Sequence, residues 1–170
     1  MSKINEKNEE TKYKYGCLML QLNIPNLVET AENIIKSDDI YNDENNSYGL
    51  EIDPHVTILY GLHKDIDDDK IIKLCKLLKA PKLKLKSISL FENEYDVLKF
   101  DVESDDLILY NELVKNTFEY TSDYPDYHAH VTIAYLNKGK GKEYLDNKEL
   151  NNFLTENIEI TNFYYSKANG

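Results

Sequence analysis

A six-residue phrase occurs twice in this chain of 170 residues: HVTILY at 55–60 and HVTIAY at 130–135, identical at five of six positions. Each copy follows a loop that contains proline, Pro54 or Pro125, and each opens a run rich in β-branched and aromatic residues. Such runs read as strands. Two copies in halves of similar size predict two related lobes facing one another. In a regular strand, residues i and i+2 share a face. His55 and Thr57 are therefore expected on one face, with Val56, Ile58 and Tyr60 on the other. His130 and Thr132 are expected opposite Val131, Ile133 and Tyr135. Packing accounts for one isolated His-x-Thr at a strand edge. It gives no reason for the polar positions to recur together with the apolar ones.

The rest of the chain punctuates around these strands. YGCLMLQL (15–22) is a short apolar run ended by Pro25. Asn26 is a candidate cap for the helical spacing of Leu27, Ala31, Ile34 and Ile35. Residues 37–49 read as loop, and 65–80 as a helix with acids first and lysines later, as the helix dipole favours. Segments 82–93 and 94–104 alternate with period two and predict an antiparallel pair joined near Asn93. A helix over 104–118, a loop over 119–129, a short helix within 143–154 and a strand over 158–166 complete an α+β pattern. Residues 1–11 are polar and read as a disordered tail, leaving 12–170 as one domain.

Composition narrows the partners. The formal net charge is −11, and all twenty basic residues are lysines. A chain so acidic is poorly suited to track a long phosphate backbone, where affinity comes from many Lys and Arg contacts. A small phosphorylated ligand in one pocket stays compatible, but it must be held without the guanidinium fork. Cys17 and Cys75 form no disulfide framework and no zinc-ligand spacing. No run of apolar residues is long enough for a membrane helix, and MSKINEKNEE lacks the apolar core of a secretory signal. A cytoplasmic protein without membrane contact is expected.

Two converging histidines are what acid–base cleavage of a phosphodiester uses. With an ordinary pKa near ~6.5, one ring can accept a proton while the other donates one. Threonine hydroxyls can bond the non-bridging phosphate oxygens. Neither cofactor nor metal is required. His128 makes an H-x-H pair with His130, a spacing that also suits zinc, but no third ligand is identifiable, and a position on the rim is expected for it. His63 is expected at the surface. Lys82, Lys84 and Lys86 read as a solvated strand face, whereas Lys138, Lys140 and Lys142 come directly after the second motif and are placed to help an anionic ligand.

The two His-x-Thr motifs resemble those of the two-histidine (2H) phosphoesterase superfamily. The surrounding segments KYGCLML, YGLEIDPHVTILYGLH, FENEYDVLKFDV and DYHAHVTIAYL are similar to the phage anti-CBASS nucleases, which degrade cyclic oligonucleotide immune messengers. The resemblance covers roughly residues 14–166. It implies a bilobal fold of two pseudo-symmetric lobes of antiparallel or mixed sheet, helices packed outside and the site in the cleft between them. By position it implies His55 and His130 as the catalytic pair, with Thr57 and Thr132 as phosphate-binding hydroxyls.

A C-terminal aromatic and an acid closing over the ligand are also implied, for which Glu156, Glu159, Tyr164 and Tyr165 are available; Glu159 and Tyr164 are favoured. Tyr15 is a further ligand-contact candidate, since it opens the strand expected beside the first motif. With no tryptophan in the chain, base stacking would fall to tyrosine. The expected function is metal-independent cleavage of cyclic di- or trinucleotides by a monomer in a host bacterial cytoplasm. The alternatives are hydrolysis of RNA 2′,3′-cyclic phosphate ends and non-catalytic sequestration of the messenger.

Overall fold

The computed structural model describes residues 13–43, 48–156 and 158–169; the tail expected over 1–11 lies outside them. Six strands form one sheet: β1 (Gly16–Asn23), β2 (His55–Leu62), β3 (Lys84–Glu92), β4 (Tyr95–Glu103), β5 (His130–Asn137) and β6 (Glu159–Ser166). Their spatial order is β3-β4-β5-β2-β1-β6, and every pairing is antiparallel. The four helices are α1 (Leu27–Ile34), α2 (Asp68–Leu77), α3 (Asp105–Thr117) and α4 (Lys148–Asn152). Ser104 accepts from the Leu107 amide at the start of α3, and Asp67 does the same for Asp69 at α2, satisfying amides that helix starts leave unpaired. Asn26 does not cap α1 with its side chain. It takes a left-handed backbone conformation instead (φ 67°), one that asparagine tolerates better than most residues.

The sheet divides at its centre. The motif strands β2 and β5 are neighbours, but their ladder consists of one residue pair, Val56 with Val131. On either side, three-stranded wings are fully laddered, β6-β1-β2 and β5-β4-β3. These wings are the two lobes, and their pairing registers match. Leu18, Met19, Leu20 and Gln21 of β1 face Leu59, Thr57, Val56 and His55. Leu98, Lys99, Phe100 and Asp101 of β4 face Ala134, Thr132, Val131 and His130.

Both registers skip one residue at the same place in the motif, Ile58 in β2 and Ile133 in β5. Each skip is a β-bulge, which reverses the face of the strand residues beyond it. Tyr60 and Tyr135 therefore share the face of the His-x-Thr side chains and do not oppose it, contrary to strict alternation. A bulge also frees its carbonyl from the ladder. Asn111 of α3 donates to the Ile58 carbonyl (2.7 Å), and the Glu51 amide donates to that of Ile133 (3.0 Å), so neither is left as an unpaired buried acceptor.

One face of the sheet is core. Leu18, Leu20, Val56, Leu98, Phe100 and Val131 are fully buried there, together with Leu27 of α1, Leu107 and Val114 of α3 and Leu150 of α4. The opposite face carries the polar residues of the motifs. Among the described residues, no helix is long and apolar enough to cross a membrane.

Candidate active site

The single Val56–Val131 pair sets the geometry of the site. Residues directly opposite in an antiparallel pair point to the same side. Carrying the register one residue each way sets His55 beside Thr132 and Thr57 beside His130. All four polar side chains therefore emerge on one face, across the line where the lobes meet.

The histidines are held alike. His55 Nδ1 lies 2.8 Å from the Asp53 carbonyl, and His130 Nδ1 lies 2.8 Å from the His128 carbonyl, in each case two residues back along the chain. A carbonyl only accepts, so each Nδ1 carries the proton and each Nε2 is left for chemistry. A neutral ring in this arrangement presents a bare Nε2 that accepts a proton; a charged ring presents Nε2–H that donates one. Burial pushes the pKa of His130 below its ordinary value. The Lys99 ammonium and His55 act in the same direction, against the bond to the His128 carbonyl and the Asp101 carboxylate. The two rings are thus within electrostatic reach of one another.

The surroundings differ between lobes. Met19, Gln21, Glu51, Asp53, His55 and Tyr164 line a cavity of about 260 Å³. Met19 links two of the expected residues, because it pairs with Thr57 on one side and Tyr164 on the other. Beside His130 lies a polar cluster. Lys99 is buried and donates to Asp101 Oδ1 and Ser89 Oγ, both at 2.6 Å, while Ser87 and Ser89 donate to the Asp101 carboxylate at 2.8 and 2.9 Å. Burial alone would raise the Asp101 pKa, but the bonds from Lys99 and the serines outweigh it and hold the carboxyl below its usual range. The Phe91 ring meets His130 edge-on, with centroids 5.0 Å apart.

Tyr15 and Tyr60 meet edge-to-face at 6.1 Å and line a separate cavity of about 330 Å³ with Tyr124. Glu159 is not among the residues lining the His55 cavity; its carboxylate accepts from the Asn23 amide at the start of β6. His128 is exposed in the loop before β5 and serves the site through its carbonyl. His63 is half-buried against Tyr15 and bonds Thr121 at 2.8 Å, so it is a packing residue more than a surface one. Among the described residues, no group of three or more His, Cys, Asp or Glu is placed to hold a metal ion.

Sequence reasoning missed Lys99, Asp101, Ser87 and Ser89. A signal for the first two was present. CLMLQL (17–22) and VLKFDV (97–102) share an apolar alternation, and the structure superposes their registers. No family model matches the sequence, and no curated protein does. The fold matches that of Usb1 from Kluyveromyces marxianus with a TM-score of 0.50 and 12% sequence identity, over 84% of this chain and 81% of that one. The likeness is one of fold, an α+β chain built on one six-stranded antiparallel sheet.

Proposed function

We propose that this protein is a two-histidine phosphodiesterase that opens cyclic di- or trinucleotides at a 3′–5′ phosphodiester bond. The observation that carries the reading is the pair of Nδ1-anchored imidazoles emerging with two threonines on one face, where the lobes meet. One histidine takes the proton of the attacking hydroxyl, from water or a ribose 2′-OH. The other gives a proton to the departing 5′-oxygen, while Thr57 and Thr132 bond the phosphate oxygens as their charge grows. Their protonation states are complementary at the start and exchanged at the end.

A compact cyclic ligand is favoured over long RNA by the net charge of −11, which repels an extended polyanion. Tyr164 and Tyr15 are then the aromatic contacts for bases, at the two cavities of lobe one. In a phage-infected cell, this activity would remove a cyclic-nucleotide alarm signal. A second reading, cleavage at 2′,3′-cyclic phosphate ends of RNA, would use the same two histidines and two threonines.

The deciding experiment incubates pure protein in EDTA with a panel of cyclic di- and trinucleotides and a short RNA ending in a 2′,3′-cyclic phosphate, reading products by mass. The proposal expects linear products from the cyclic nucleotides. Opening of the RNA end alone would install the second reading. Stoichiometric binding of intact cyclic nucleotide would make the protein a sequestering agent.

A further inference from the structure

The two wings repeat each other's register but not their chemistry, and the departure sits beside one histidine only. In β1, the residues opposite Thr57 and His55 are Met19 and Gln21. In β4, the residues opposite Thr132 and His130 are Lys99 and Asp101. The outer strands continue the contrast, with Tyr164 and Asn162 against Ser89 and Ser87. Packing does not require the charged version, because lobe one fills the same positions with an uncharged pair. Burying the Lys99 ammonium is an expensive way to fill space, since the ion must be stripped of water. Here every partner needed to hold it is present: Lys99 is bonded to Asp101 and Ser89 and lies 4.2 Å from the Phe91 ring centroid, and both serines donate to Asp101.

We propose that Lys99 and Asp101 are positioning residues that give a two-fold site one direction of proton transfer, making His130 the acceptor and His55 the donor. This rests on the reading of the site as a phosphodiesterase. The nucleophile's O–H bond breaks with its proton going to His130 Nε2 as the new O–P bond forms. The P–O5′ bond breaks with its electron pair on oxygen, which takes the proton from His55 Nε2. No oxidant or co-reactant is needed.

The charged and titratable groups facing His130 are Lys99 and Asp101 from β4 and His55 from β2, alongside the carbonyl of His128. The Asp101 carboxylate is already engaged by Lys99 and two serines. It is thus poorly placed to stabilise an imidazolium, and the ammonium beside it opposes one. Removing the ammonium frees the carboxylate to favour the charged ring, which changes both influences at once.

The test is an NMR titration of the four imidazoles in the free full-length protein, together with rates on a cyclic dinucleotide with one bridging 5′ oxygen replaced by sulfur. In wild type, His130 titrates below the ordinary histidine value. Lys99→Met, which copies Met19, raises its midpoint by about one pH unit, and Asp101→Asn lowers it. Lys99→Gln provides a second variant if the methionine form folds poorly. A merely structural role would change the melting temperature without moving His130 relative to His55.

Sulfur is a better leaving group and needs no proton, so the substrate rescues His55→Ala and leaves His130→Ala impaired. An unmoved His130 midpoint in both Lys99 variants, or rescue of His130→Ala, overturns the assignment. If wild type cleaves no cyclic nucleotide, the functional reading falls, and the titration still decides whether the pair sets His130 apart.

Discussion

Two lobes of this molecule share a backbone plan down to the bulged residue and differ in what the plan displays. Ile58 and Ile133 are bulged at the same point of the motif, and Leu20 and Phe100 fill equivalent core positions. Yet the Ile58 carbonyl is capped by the Asn111 side chain and the Ile133 carbonyl by the Glu51 backbone amide. One wing ends in an open cavity beside Tyr164, and the other in a buried Lys99 bonded to half-buried Asp101 and Ser89. Repetition preserves the geometry that brings four polar side chains together. Divergence supplies what a symmetric site lacks, a distinction between its two ends.

The comparison is broken most severely at the histidines. His55→Ala and His130→Ala should each lower kcat by ~10²–10⁴-fold with the melting transition retained, since each removes one proton carrier. The double variant should lose far less than the product, because the residues act as a unit. A single variant near the wild-type rate would contradict the shared role. Next come the hydroxyls. Thr57→Ala and Thr132→Ala should each cost ~1.5–3 kcal/mol in kcat/KM, the worth of a hydrogen bond to a charged oxygen, and comparable losses in the two lobes are the expected pattern.

The bulge caps sharpen the contrast through stability. Asn111→Leu leaves the Ile58 carbonyl buried without a donor and should destabilise by ~1–3 kcal/mol in denaturant titration. Truncating Glu51 to alanine keeps the amide that serves Ile133 and should leave that cap unaffected. The smallest effect belongs to Cys17, which takes the place of Val97 in the matching register. Burial pushes its thiol up to about 11, against a weak contact with Thr57 at 3.9 Å. It should resist alkylation at neutral pH, because the thiolate is the reactive form. Cys17→Val should change stability by less than ~1.5 kcal/mol, as volume-conserving swaps do.

Much of this arrangement was legible in the residues. The motif strands begin at His55 and His130 as the alternation predicts, and the hairpin over 84–103 lies where its period-two pattern places it. The faces of Tyr60 and Tyr135 were not legible, because a bulge is invisible to an alternation count and depends on carbonyl partners elsewhere, here Asn111 and Glu51. The burial of Lys99 was hidden for a different reason. Charged residues in an alternating strand read as the wet face. Only the serines of β3 and the ring of Phe91, distant from the motif in sequence, show that the Lys99 ammonium is buried.

The central claim is that two imidazoles share the proton transfers, and the pH dependence of cleavage tests it most directly. Rates on a cyclic dinucleotide in EDTA should trace a bell. The rate rises as the accepting ring loses its proton and falls as the donating ring loses its own, the limbs belonging to the pair. With His130 as acceptor, held low by burial and Lys99, the rising limb lies below the ordinary histidine value of ~6.5. A single ionisation near neutral pH, with activity abolished by EDTA and restored by added metal, would contradict the account.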